Sequence, residues 1–128
     1  MDREEIQSMR RSYSERELTL PADPVTAFRG WLKEAAEAPA IVEANAMVLS
    51  TFGSDEIIQS RTVLLKDVTD LGFTFFTNYN SRKAQSIEIN PQVTLLFPWY
   101  AMERQVIVRS EEHTSELQSL AYLVCRLL

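Results

Sequence analysis

A chain of 128 residues, 45% hydrophobic and 24% charged, has room for one domain and one modest core. Its net charge of -5 argues against a general nucleic-acid or anionic-membrane binder, and no apolar run approaches a membrane span. A single Cys and a single His leave no disulfide framework and no zinc constellation. The charged N-terminus lacks an apolar signal region, so a cytoplasmic, reducing location is the expectation.

Residues 1–19 are polar with little periodicity and predict a mobile arm or a short irregular helix. Asp23 at an N-cap and Pro24 behind it open a helix whose Val25, Phe28, Leu32 and Ala35 share one face; Pro39 marks its end. From Ala44 the pattern becomes strand-like. Strands are predicted at 46–52 and 57–66, joined by a turn at 53–56, and again at 73–77 after a polar turn at 67–71. Ser81 can cap a short helix to about Ile89, which Asn90-Pro91 ends. Two more strands follow at 93–97 and 104–108, around a bend at Pro98. Five short-linked strands with few helices predict a mainly β domain: an antiparallel sheet that closes into a barrel.

Residues 109–128 depart from this plan. A further turn and strand should follow Val108; instead comes a polar run ending in an apolar stretch. Arg109-Ser110-Glu111-Glu112-His113-Thr114-Ser115-Glu116-Leu117-Gln118-Ser119 resembles the in-frame translation of a sequencing-library adapter. Leu123-Val124-Cys125-Arg126-Leu127-Leu128 resembles its continuation, with Leu120-Ala121-Tyr122 spanning the variable index. The expectation is a native sequence to about Val108 and a non-native tail of 109–128; the alternative is a genuine amphipathic C-terminal helix. His113 and Cys125 fall in that tail and receive no role.

Three basic, strand-flanked segments carry the chemistry. Arg61 interrupts an apolar strand and needs an anion, either a structural carboxylate or a ligand phosphate. Lys66 ends the same strand, solvated or reaching into a cleft. Ser81-Arg82-Lys83 puts two cations at a helix N-terminus, which makes either a phosphate site or a capped surface helix. Phe76 and Thr77 upstream can supply an apolar wall and a backbone contact. Gln105 offers a donor and an acceptor suited to the polar edge of a heterocycle, or simply faces solvent. No Ser-His-Asp set, P-loop or glycine-rich phosphate loop can be assembled, so no catalytic side chain is assigned. Chemistry done by a bound cofactor fits this inventory better than a protein nucleophile.

These segments, in this order, resemble the pyridoxamine 5'-phosphate oxidase family. The matching residues include Leu20-Pro21-Ala22-Asp23-Pro24, Glu43-Ala44-Asn45-Ala46-Met47, Arg61-Thr62-Val63-Leu64-Leu65-Lys66, Ser81-Arg82-Lys83, Leu95-Leu96-Phe97-Pro98-Trp99 and Glu103-Arg104-Gln105-Val106. The resemblance implies an FMN-binding split β-barrel, here truncated, with residues 20–108 forming its N-terminal half behind an arm at 1–19. It implies a homodimer with FMN at the interface, oxidising pyridoxamine or pyridoxine 5'-phosphate to pyridoxal 5'-phosphate with O2 as acceptor. The cofactor contacts it implies are Arg61, Thr62, Val63, Leu64, Leu65, Lys66, Phe76, Thr77, Arg82, Lys83 and Gln105. For the substrate it implies Lys66 and the arm residues Arg10, Arg11, Ser12 and Tyr13. No metal, nucleic acid or membrane partner is expected. A chain with half the family's sites is expected to bind flavin weakly and turn over little.

Overall fold

The computed structural model describes residues 1–10, 20–69, 72–76, 92–109 and 122–125. A short helix α1 (Arg3–Ser8) opens the chain, where Asp2 and Glu5 form a reciprocal capping box. Helix α2 (Pro24–Glu37) begins as the sequence predicts: the Asp23 carboxylate accepts from the Val25 and Thr26 amides and from the Thr26 hydroxyl, with Pro24 in the first turn. It ends before Pro39, and buries Phe28 and Ala35.

Among the described residues six strands follow: β1 (Ala46–Phe52), β2 (Ile58–Thr69), β3 (Gly72–Phe76), β4 (Thr94–Phe97), β5 (Val106–Arg109) and β6 (Tyr122–Cys125). They form one sheet in the order β5-β4-β1-β2-β3-β6, and each pairing is antiparallel. Between β4 and β5 a 3-10 turn (Tyr100–Met102) leads into Glu103 in the left-handed region (φ 59). The predicted strands are all present: β1 matches at both ends, and the others have shifted ends. Strand β2 runs on to Thr69, through the start of the turn predicted at 67–71, because the register slips by one residue between Leu65 and Asp67. The helix predicted at 81–89 lies outside the described residues.

The sheet is curled. Strands β3 and β4 are three places apart in the sheet, about 14 Å if it were flat. Yet the rings of Phe73 and Phe97 lie 6.2 Å apart, and Phe28 of α2 meets them at 4.7 and 4.9 Å. Helix α2 thus plugs the concave side of a half-barrel. The core there is Met47, Leu49, Val63, Leu65, Val68, Phe73, Phe75, Leu95, Phe97, Trp99 and Val108, with Phe28 and Ala35 from the helix. Burial alternates along β1 (Met47, Leu49 and Thr51 inward), as a half-buried strand requires. Among the described residues no helix is long and apolar enough to cross a membrane.

Candidate flavin site on the β2 strand

Strand β2 carries most of the predicted site, and its alternation divides that set. The pairs Leu49↔Arg61 and Met47↔Val63 put Arg61 and Val63 on the concave side, with Leu65. Thr62, Leu64 and Lys66 face outward, with Lys66 exposed. Phe76 of β3 shares their side: its neighbour Phe75 is fully buried opposite Leu65, whereas Phe76 is 59% exposed.

Arg61 is half-buried. Its guanidinium donates to the Leu49 carbonyl at 3.2 Å and to the Thr51 hydroxyl at 2.8 Å. Among the described residues it meets no carboxylate. Desolvation by burial pushes its pKa below the ordinary arginine value. Thr51, 2% exposed, finds its side-chain partner among the described residues in this bond. Near it lies an open hollow of about 470 Å³ lined by Thr51, Phe52, Ile58, Gln92 and Val93.

Gln105, exposed just ahead of β5, borders a second hollow of about 340 Å³ with Pro98, Tyr100, Glu103 and Arg104. The loop that presents it is firmly held. Trp99 is buried and donates its indole N–H to the Ala44 carbonyl at 3.1 Å. Arg104 donates to Glu34 of α2 at 2.5 Å, and its guanidinium lies 4.5 Å from the Trp31 ring centroid. The Arg104 and Met102 amides both donate to the Trp99 carbonyl. Sequence reasoning missed Arg104, Glu34 and Trp31 as supports of Gln105. Their spacing gives no local signal, since the contact joins residues 70 apart.

Of the arm residues, Arg10 is described and exposed just beyond α1. Arg11, Ser12, Tyr13, Thr77, Arg82 and Lys83 lie outside the described residues. Among the described residues no group of His, Cys, Asp and Glu is placed to hold a metal ion.

The donor set suits FMN in chemistry: cations for a phosphate, a hydroxyl for the ribityl chain, an apolar wall from Leu64 and Phe76, and an amide for the ring edge. In placement, Thr62, Leu64, Lys66 and Phe76 gather on one face while Arg61 approaches from the other.

Solved structures share this architecture. PhzG from Burkholderia lata 383, in complex with tetrahydrophenazine-1-carboxylic acid, superposes with a TM-score of 0.68 at 28% identity, over 77% of this chain and 47% of that one. A pyridoxamine 5'-phosphate oxidase-related, FMN-binding protein from Nostoc punctiforme PCC 73102 gives a TM-score of 0.60 at 19% identity, over 78% of this chain and 52% of its own. The fold is that of the FMN-binding split-barrel proteins. Residues 32–127 match the family model described as pyridoxamine 5'-phosphate oxidase, and the chain belongs to that family. A pyridoxine/pyridoxamine 5'-phosphate oxidase of Prochlorococcus marinus (strain MIT 9303) is 50% identical over 127 residues, covering 96% of this chain and 56% of its own length. The corresponding protein of Escherichia coli O1:K1 / APEC is 42% identical over 127 residues, with 96% and 58% covered. The chain therefore spans somewhat over half the length of the curated relatives it matches. These comparisons support FMN as the cofactor.

Proposed function

We propose that this sequence contributes the N-terminal half of an FMN-dependent oxidase that converts pyridoxamine or pyridoxine 5'-phosphate to pyridoxal 5'-phosphate, with O2 as acceptor. The observation that carries this reading is the outward face of β2, where Thr62, Leu64 and Lys66 lie in a row beside Phe76, within a chain of the oxidase family. Bound FMN would supply the two-electron acceptor, so no protein nucleophile is required. Thr62, Leu64 and Phe76 would bracket the cofactor, and Gln105 would orient its ring edge. Arg61, Arg82 and Lys83 would neutralise its phosphate, and Val63 and Leu65 would hold the strand from the concave side. Thr77 would add a contact at the end of β3. Lys66 would contact the cofactor as well as attract the substrate phosphate, and Arg10, Arg11, Ser12 and Tyr13 would cover the substrate and exclude water. The protein's part is orientation and electrostatics.

The parent protein is read as a homodimer. Ile58, Phe76, Ile107 and Phe52 are 71%, 59%, 52% and 37% exposed on the convex side, an apolar surface suited to a second protomer. Residues 109–128 are read as adapter-derived. Strand β6 pairs with β3 through its backbone, which an unrelated extended segment can also supply at an open sheet edge. Codons differing from the adapter at several positions would refute that part.

The test uses two proteins: the 128-residue chain and the product of its complete reading frame. FMN fluorescence titration and assays for pyridoxal 5'-phosphate and hydrogen peroxide should show an active oxidase from the complete frame and little turnover from the shorter chain. Stoichiometric FMN without peroxide would indicate a flavin- or B6-phosphate-binding protein instead. Bleaching by a reduced nicotinamide without B6 turnover would indicate a flavin reductase.

A further inference from the structure

Lys66 sits at the one irregularity in the pairing of β2 with β3. Leu65 pairs with Phe75 and Asp67 with Thr74, so Lys66 is the extra, unopposed residue of a β-bulge. Left to itself, such a residue loses the ladder that fixes its direction. Here the backbone on both sides of it is tied down by side chains from other parts of the fold.

On the N-terminal side, Asn45 holds Leu65 twice. The Leu65 amide donates to the Asn45 carbonyl at 2.9 Å, and the Asn45 side-chain amide donates to the Leu65 carbonyl at 3.0 Å. Asn45 lies just ahead of β1, so it extends the β1–β2 ladder by one step with a side chain in place of a main-chain donor. On the C-terminal side, the Arg29 guanidinium of α2 donates to the Val68 carbonyl. The Asp67 carboxylate accepts from the Val68 amide at 2.8 Å. The slip turns Lys66 and Asp67 both outward and returns Val68, 5% exposed, to the core. Among the described residues the Lys66 ammonium has no partner of its own.

We infer that Asn45 and Arg29 are positioning residues: they clamp the bulge from either side and so fix where the Lys66 ammonium is presented to a phosphate-bearing ligand. The inference rests on the flavin-site reading and deepens it. Neither residue touches the ligand; both act through the backbone of residues 65–68. The arrangement reduces the ordering that Lys66 must undergo on binding, which is the usual benefit of preorganisation.

The test is a double-mutant cycle on FMN affinity in the 128-residue chain, followed by fluorescence quenching, with unfolding midpoints measured alongside. Lys66→Ala should weaken FMN binding by about tenfold. Asn45→Ala should weaken it about fivefold in the wild-type background and hardly at all in the Lys66→Ala background. Arg29→Lys, which keeps a donor, should retain most of the affinity that Arg29→Ala loses. Equal losses with and without Lys66 would mean a general structural role and would overturn the inference. If the wild-type chain binds FMN too weakly to measure, the affinity cycle is run on the product of the complete reading frame, whose failure to bind FMN would overturn the flavin reading, and the clamp is judged separately by amide hydrogen exchange. Faster exchange at Lys66 and Asp67 in Asn45→Ala and Arg29→Ala, with Val48 and Leu49 unchanged, supports it; unchanged exchange at 66 and 67 overturns it.

Discussion

The two faces of the curled sheet obey different rules. On the concave side Phe28, Phe73, Phe97 and Trp99 interlock, with ring centroids 4.7 to 6.2 Å apart and each ring at most 4% exposed. On the convex side Ser50 and Ser60 hydrogen-bond to each other, Lys66 stands exposed, and Ile58 and Ile107 are more than half exposed. Shape and area decide the first face; on the proposed reading, the second would be constrained by the cofactor and the second protomer it meets. The polar exception inside is Arg61 with Thr51. On the proposed flavin-site reading, a ligand requirement and a packing requirement would compete there on one strand.

Substitutions can break this contrast, beginning with the helix plug. Phe28→Ala empties the space between β3 and β4 and should cost about 3–5 kcal/mol, read as a large fall in the urea midpoint. An unchanged midpoint would mean that α2 does not close the half-barrel. Arg61→Met comes next: it leaves the Thr51 hydroxyl without its donor and should cost about 1–3 kcal/mol. The same variant sharpens the site assignment. FMN affinity reduced at least tenfold puts Arg61 on the phosphate, whereas unaltered affinity confines the site to the outward face of β2.

Trp99→Phe keeps a buried ring but removes the indole donor to Ala44. The expected loss is about 1 kcal/mol of stability, together with looser presentation of Gln105. Ile58→Ser, on the convex side, should change the unfolding midpoint by no more than about 0.5 kcal/mol. In the complete protein it should nevertheless weaken self-association, as measured by light scattering. A large loss of stability with association intact would erase the proposed difference between the faces.

The smallest effect concerns Asp23. The Thr26 hydroxyl chiefly holds its carboxyl below the ordinary aspartate pKa against an opposing desolvation, with lesser help from the Thr26 and Val25 amides. A depressed folded pKa stabilises the fold above the unfolded value, and that contribution disappears as pH falls through the folded one. Asp23→Asn should therefore flatten the acid limb of the stability profile by slightly lowering stability at neutral pH while leaving it nearly unchanged at low pH, as unfolding midpoints measured across pH would show.

Much of this was written locally. Asp23-Pro24 fixed the start of α2 because a cap and a proline act within one turn. Alternating apolar residues placed β1 and the core ends of β2 and β4, since burial on one face imposes a period of two. The ordered basic segments gave the family through a resemblance that the family match bears out. What no local pattern contained was the slip at Lys66, the curl that brings Phe73 to Phe97, and the ties of Arg29 to Val68 and Arg104 to Glu34. Those contacts join residues far apart in the chain. Whether such side chains meet depends on how strands curve and register after the core has formed, so the tertiary structure alone decided which face of β2 each candidate residue would occupy.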